Sequence, residues 1–223
     1  MIPQITIQPN APTLLVELIH ATHRYYPIGF ELENEQYDGF KEAIDIVGQK
    51  ISSLTKDHLP VEVKELETNI KNLFKTLTVM NEIHRQFPNY AFAVNLTEED
   101  FPNLSRVLLL RIRISLLTKH YTYFYEEHII HKTSKAFGSP VHTTVVSSEL
   151  IGNEHDPELI NQLRTTIEKS FPGYSYANHE LLFQTKIEYG TPYGEMAIPT
   201  YKYYSLYQFL FDNDTFLGLQ IAK

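Results

Sequence analysis

Apolar residues repeat with helical spacing in two neighbouring segments of the first third of the chain. They step alternately by three and four residues, stop at residues 55–60, and then resume the same alternation. The first series is Tyr37, Phe40, Ile44, Val47, Ile51 and Leu54, and the second is Val63, Leu66, Ile70, Leu73, Leu77 and Met80, continuing to His84 and Phe87. Such a stripe follows one face of an α-helix. The short connection, which contains Pro60, predicts that the two helices pack antiparallel as a long αα-hairpin.

A shorter helix is predicted before this pair. Asn10 can cap it, Pro12 fits its first turn, where a missing N–H costs nothing, and Pro27 ends it. We expect a strand over residues 4–8 ahead of this helix. His84 falls on the second apolar stripe, and we interpret it as a core or helix-end histidine because a single histidine does not make a metal site.

From residue 89 the period of the pattern changes to two. Residues 90–96 predict a strand, and the alternation within residues 106–131 (RIRIS and HYTYFYE) predicts a β-hairpin. Four consecutive apolar residues at 107–110 do not distinguish strand from helix, so a helix over residues 104–117 is the alternative. Residues 141–147, rich in β-branched side chains, predict a further strand.

One well-marked helix follows, with Asp156 as its cap and Pro157 at its first position. After it, we predict strands over residues 181–189 and 198–211, with a short helix over residues 204–211 as the alternative to the second. We expect a return strand over residues 215–221. The fold class is therefore α+β: an N-terminal helical part with a long αα-hairpin packed on a mostly antiparallel sheet, plus one helix in the C-terminal half. We treat residues 1–223 as a single domain, helical over about 1–88 and sheet-rich over about 89–223.

Composition and charge remove several classes of function. The 223 residues include no cysteine, which excludes disulfides, thiolate chemistry and cysteine zinc sites. The formal net charge is −8, and most of the surplus precedes residue 104, where 15 acidic residues face 8 basic ones. Binding to a phosphate backbone rests on cations, so we expect no nucleic-acid partner.

We expect a cytoplasmic protein without a membrane partner. The first ten residues lack the basic and apolar regions of a secretory signal. The densest apolar stretch, residues 107–117, contains Arg111 and Arg113 and is too short to span a bilayer as a helix. The sequence pattern leaves the oligomeric state open.

Familiar catalytic motifs are missing from the sequence. It contains no phosphate-binding glycine loop, no GxSxG elbow and no HExxH, so we expect no cofactor and assign no catalytic residue. His128 and His131, which follow Glu126 and Glu127, would share one face of a helix and could bind a metal there. We read this run as a strand, where positions i and i+3 point to opposite faces, and therefore expect no metal.

Tyrosine usage and the acidic surplus suggest a binding surface. Tyr121, Tyr123 and Tyr125 alternate and would share one sheet face, and tyrosine offers large contact area with little rotamer entropy to lose. The acidic run that includes Glu31, Glu33 and Glu35 would form a rim that attracts a basic protein partner. Our leading hypothesis is a non-catalytic protein-binding module of inhibitor, immunity or adaptor type. The alternative is a metal-assisted hydrolase with spatially assembled His and Glu residues.

Overall fold

A computed structural model describes residues 13–30, 33–56, 58–136, 139–147, 157–194 and 203–213. The chain begins with helices. They are α1 (Thr13–Tyr25), a 3₁₀ helix (Asn34–Gln36), α2 (Asp38–Thr55) and α3 (Val61–Leu73). α1 ends two residues before Pro27, close to its predicted end. The predicted cap Asn10 and the predicted strand over residues 4–8 lie outside the described residues.

A central antiparallel sheet follows these helices. Its main strands are β1 (Thr78–Asn81), β2 (Asn89–Asp100), β3 (Leu104–Ser115), β4 (His120–Ala136) and β5 (Ser139–Ser147). Each strand pairs with the next in sequence order, since short turns join antiparallel neighbours. β6 (Ser175–Tyr176) pairs with β4 in parallel. The predicted α+β class with a mostly antiparallel sheet is confirmed.

The C-terminal half adds short elements around the sheet. They are α4 (Pro157–Ser170), α5 (His179–Gln184), β7 (Lys186–Glu188), β8 (Tyr203–Ser205) and α6 (Leu206–Leu210). β7 and β8 form a separate antiparallel pair. α4 begins at Pro157 as predicted, because a proline fits the first helical position. The predicted cap Asp156 and the return strand over residues 215–221 lie outside the described residues.

Two apolar clusters lie on opposite faces of the sheet. The alternating side chains Leu108, Leu110, Ile112 and Ile114 of β3 belong to the cluster that α3 and α4 cover. Phe124 of β4 points to the other face and belongs to the cluster formed with α1, α2, α5 and α6. A strand buried on both faces carries apolar residues at both odd and even positions. This explains the continuous apolar run at residues 107–110.

The paired helical stripes are confirmed as helices, with one exposed position. Val63, Leu66 and Ile70 of α3 are fully buried, whereas Ile44 of α2 is 39% exposed. α2 packs mainly on α1, and α3 packs mainly on α4. The direct packing of α2 against α3 as a hairpin therefore stays a prediction.

The predicted continuation of the second stripe from Leu77 to Phe87 is wrong. α3 ends at Leu73, and residues 78–81 form β1. Leu77 and Val79 pack against the same core cluster as α3, but they do so with strand spacing. Pairing of β1 with β2 satisfies backbone groups that a longer helix would otherwise satisfy. His84 lies in the turn after β1 and is exposed, so its interpretation as a core histidine is also wrong.

The helix alternative for residues 104–117 is wrong, and the predicted β-hairpin is confirmed. β3 pairs with β2 on one side and with β4 on the other. Hydrogen bonding along both edges makes β3 a central strand, where the β-branched and leucine side chains pack on both faces.

Of the strand predicted over residues 181–189, only Lys186–Glu188 forms one, as β7. Residues 179–184 are helical because the side chain of Asn178 caps them, accepting from the backbone N–H of Glu180 at 2.7 Å. Near residue 204 the short-helix alternative is correct. Ser205 and Gln208 form a reciprocal capping box at the start of α6. Local capping thus outweighs the aromatic, strand-like composition in both places.

None of the helices in the described ranges combines the length and the apolar composition needed to cross a bilayer.

Candidate functional site

The three alternating tyrosines of β4 belong to the core. Tyr121 is 0% and Tyr125 is 3% exposed, and the hydroxyl of Tyr121 donates to Oε1 of Glu168 in α4 at 2.7 Å. Tyr123 is half-buried and stacks on Tyr176 of β6 with ring centroids 4.7 Å apart. Because α4 and β6 cover this face, the interpretation of Tyr121, Tyr123 and Tyr125 as an exposed binding surface is wrong.

The acidic run lies at another part of the molecule. Glu33 and Glu35 are exposed at the 3₁₀ helix, while Glu31 lies outside the described residues. Asn34, between the two glutamates, donates from Nδ2 to the backbone oxygen of Thr191 at 2.9 Å. This bond ties the acidic segment to the loop that follows β7, and not to the sheet tyrosines.

The loop after α1 meets the same region. The backbone N–H of Gly29 donates to the carbonyl oxygen of Tyr189 at 2.9 Å. Next to this bond, a Cβ on Gly190 would lie 2.2 Å from Cδ1 of Ile28, so any larger residue would require that side chain to shift. The contact brings the backbone of Phe30, which follows Gly29, close to that of Tyr189.

Large aromatic side chains are exposed at this junction. Tyr189 is 64%, Phe30 is 55% and Tyr203 is 44% exposed. Tyr203 of β8 pairs in register with Glu188 of β7, the residue before Tyr189. We define the aromatic–acidic patch by these three aromatic residues and the nearby carboxylates, namely Phe30, Tyr189, Tyr203, Glu33, Glu35 and Glu188.

Tyr189 adopts a backbone conformation that L-residues rarely take. Its φ is +60°, and it is the one residue other than glycine with a positive φ in the described part of the chain. For a bulky side chain this conformation is an outlier that costs about 1–2 kcal/mol. Glycine at this position would remove the cost, so the fold itself does not require a tyrosine here. Strain of this kind clusters at functional positions.

The patch combines acidic side chains with exposed aromatic rings. Three glutamates contribute to it, all of them exposed. Nζ of Lys186 lies 4.3 Å from the centroid of the Tyr203 ring, so this ring already accepts a cation on its face. Aromatic faces attract ammonium and guanidinium groups by their quadrupole. The exposed carboxylates would attract cationic groups over a distance, and the exposed rings of Phe30 and Tyr189 offer faces for contact with them.

A second polar cluster is buried between the sheet and the C-terminal segment. Arg113 of β3 is 0% exposed and donates from Nε to Oδ2 of Asp212 at 2.7 Å and from Nη2 to Oε2 of Glu82 at 3.0 Å. Its Nη1 donates to the carbonyl oxygens of Phe92 and Ile112, both at 3.1 Å. This guanidinium thus uses most of its five donors.

The neighbouring Arg111 extends the cluster along the same face of β3. It donates from Nη1 to Oε1 of Glu82 at 2.7 Å and from Nε to Glu126. Burial raises the pKa of Glu126, but the hydrogen bond from His128 and the charge of Arg111 outweigh it and hold that pKa below its usual value. Each carboxylate of the cluster is engaged by arginine, so we interpret the cluster as a structural anchor.

Lys50 of α2 secures the turn between β1 and β2. It is 4% exposed, and its Nζ donates to the carbonyl oxygens of Arg85, Phe87 and Asn89 at 2.6, 2.6 and 3.0 Å. Three acceptors match the three donors of an ammonium group. Burial lowers the pKa of Lys50 to about 8, so the group remains mostly protonated at neutral pH.

Sequence reasoning did not identify either polar feature. Arg111 and Arg113 were visible as two cations at alternating positions of an apolar strand, which places both on one face. The partners Glu82 and Asp212, however, are 31 and 99 residues away from Arg113. Only the tertiary fold brings these groups together.

The candidate metal pair does not assemble. His128 and His131 lie on β4, as the strand interpretation predicted, and therefore point to opposite faces. Nε2 of His128 lies 3.1 Å from Oε1 of Glu126. Across the residues that the structure describes, no three His, Asp or Glu side chains are grouped so that they could hold a metal ion.

His179 is a buried histidine in an aromatic cluster. It is 2% exposed and lies against the rings of Phe124 and Phe183, with centroids 5.9 and 5.7 Å away. Burial lowers the pKa of His179 from 6.5 to about 4, because the imidazolium would lose its hydration there.

This pKa shift predicts a loss of stability in acid. Between pH 6.5 and about 4 the unfolded chain binds a proton at His179 while the folded chain does not, so the free energy of unfolding falls. We expect His179 to contribute about 3 kcal/mol to this decrease. Urea unfolding of the wild type and of His179→Phe at pH 7 and pH 4.5 measures it, with the variant losing less. An equal loss in both proteins would show that His179 does not titrate in this way.

The comparisons with known proteins supply no relative. A scan against protein-family models matched no family, and searches of curated proteins and of solved structures found no match.

Proposed function

We propose that this protein is a non-catalytic protein-binding module that binds a basic protein partner through the aromatic–acidic patch. The observation that carries the proposal is the junction of Gly29 with Tyr189, which joins two segments that carry exposed aromatic residues and lie next to the acidic segment. Aromatic residues are enriched at the centre of protein interfaces, and surrounding charge guides the encounter.

The strained Tyr189 supports the same proposal. Glycine at φ +60° would have less backbone strain than tyrosine. The stability of the free fold therefore does not explain why a tyrosine occupies this position. A ring that is 64% exposed in the free protein can bury a large apolar area in a complex. Tyrosines of this kind are frequent binding hot spots.

The patch and the composition both support a module of inhibitor, immunity or adaptor type. An inhibitor, an immunity protein or an adaptor each needs a recognition surface without a reactive centre, and the patch supplies one. We propose a cytoplasmic protein that uses neither a cofactor nor a nucleic-acid partner. The net charge of −8 supports this choice of partner, because it disfavours phosphate backbones and favours cationic proteins.

The two components of the patch should affect binding kinetics differently. Glu33→Lys with Glu35→Lys should lower the association rate constant by about 3- to 10-fold and weaken its dependence on salt, because steering charge is lost. Tyr189→Gly with Tyr203→Thr should mainly raise the dissociation rate constant, costing about 1–3 kcal/mol of binding free energy. Biolayer interferometry with the captured partner, at several salt concentrations, measures both constants.

Matched controls separate these effects from folding and from net charge. Glu62→Lys with Glu65→Lys changes the net charge equally on the exposed face of α3 and should leave the association rate nearly unchanged. Tyr189→Gly should keep the free energy of unfolding within about 1 kcal/mol of the wild type, since strain relief offsets the greater freedom of glycine in the unfolded chain. Equal kinetic effects of the two glutamate pairs would contradict the proposed rim.

A further inference from the structure

The two edges of the main sheet differ in their protection. β1 closes one edge and has four residues, whereas β5 at the other edge has nine. Proteins protect edge strands by shortness, by charged side chains or by proline. Residues 139–147 (SPVHTTVVS) contain no Lys, Arg, Asp or Glu, and their single proline is at the second position. β5 therefore lacks most of the usual protection.

The outer side of β5 is open within the described part of the chain. There, β5 pairs with β4 alone, and β6 pairs with β4 only at His120 and Tyr121, beyond the end of β5. His142 and Thr143 in the middle of the strand are exposed, and Val145 is 39% exposed. Such an edge is a template for another strand.

We propose that β5 pairs antiparallel with β5 of a second copy of this chain, about a two-fold axis at Thr143. In this register Thr143 lies opposite its own copy, and Val141 lies opposite Val145. Cross-strand pairs of β-branched residues stabilise a sheet, and a two-fold axis makes the contact self-complementary. The two sheets then form one continuous sheet.

Charge favours a second copy over a basic partner at this edge. Two copies with a net charge of −8 repel each other over most of their surfaces, but β5 brings no charged residue to the contact. The carboxylates of β4 beside β5 are neutralised, since Glu126 pairs with Arg111 and Glu127 with Arg106. Neither carboxylate of β4 next to β5 is left for a basic partner to bind, and an identical uncharged strand meets no like charge on β5 itself.

Cysteine crosslinking tests both the dimer and its register, because the natural chain contains no cysteine. Thr143→Cys should form a disulfide-linked dimer under mild oxidation. Val141→Cys and Val145→Cys should each remain unlinked, because a residue and its copy are then about 13 Å apart along the strand, beyond the reach of a disulfide. A mixture of these two variants should crosslink, since Val141 then faces Val145.

Sedimentation equilibrium of the unmodified protein gives the second readout. We expect a mass of twice 25.9 kDa at high concentration. Thr143→Lys, which places like charges opposite each other at an exposed position, should weaken the dimer by about fivefold or more. A wild-type protein that stays monomeric across the concentration series overturns the proposal, and crosslinking of Val141→Cys alone overturns the register. The proposed contact and its tests use residues of β5 and none of the aromatic–acidic patch, so neither outcome decides the proposed function.

Discussion

Arg113→Met is expected to lower the free energy of unfolding by about 3–5 kcal/mol, because it removes the arginine from the buried carboxylate of Asp212, whereas Glu82 keeps Arg111. Asp212 is 2% exposed and Glu82 is 8% exposed, and both accept from this guanidinium. The variant also removes donors from the carbonyl oxygens of Phe92 and Ile112. Urea titration at pH 7 measures the change.

Two further variants test whether this loss of stability comes from the buried charge cluster. Arg106→Met removes an arginine from the same strand whose side chain is 34% exposed, and should cost about 1 kcal/mol or less. Adding Asp212→Leu to Arg113→Met should restore part of the lost stability, because one uncompensated carboxylate is then gone. A loss in Arg113→Met no larger than in Arg106→Met would mean that the buried cluster does not anchor the fold.

Leu66→Asp is expected to destabilise the protein by about 4 kcal/mol or more, enough to unfold many domains of this size. Leu66 is 0% exposed and lies in the cluster that joins α3, α4 and the sheet. Aspartate there loses the buried apolar contacts and leaves a charge without a partner.

Ile44→Asp is the matched control on α2. Ile44 follows the same helical periodicity in the sequence but is 39% exposed, so its substitution should cost about 1 kcal/mol or less. Thermal unfolding monitored by circular dichroism compares the two variants. Similar losses in both would show that Leu66 is not packed beneath the sheet as the structure describes.

Sequence periodicity correctly predicted the helices and strands whose buried residues recur at a single regular spacing. The stripes of α2 and α3, the alternation in β3 and β4, and the proline at the start of α4 were each sufficient for the correct element. Periodicity failed after the end of α3. Apolar residues there keep the spacing of the helix in the sequence, but they are buried by a different element. Val79 continues the core of α3 as part of a strand, and Leu77 does so immediately before that strand, because pairing with β2 decides the backbone there.

The candidate site was less predictable, because exposure depends on which elements cover a face. The alternating tyrosines of β4 were correctly placed together, but α4 and β6 bury them. The exposed rings, by contrast, are at residues 30, 189 and 203, in loops and a short hairpin that no period describes. Their convergence depends on the contact between Gly29 and Tyr189, which are 160 positions apart in the chain.

Quantitative affinity capture from native lysate tests the central claim most directly. The three baits are the wild type, the patch variant Phe30→Ser with Tyr189→Gly and Tyr203→Thr, and the control Phe101→Ser, which removes an aromatic residue that is 49% exposed at the turn between β2 and β3. We predict that the wild type and the control recover the same basic protein partner and that the patch variant loses it. Equal recovery by all three baits would contradict binding through the aromatic–acidic patch.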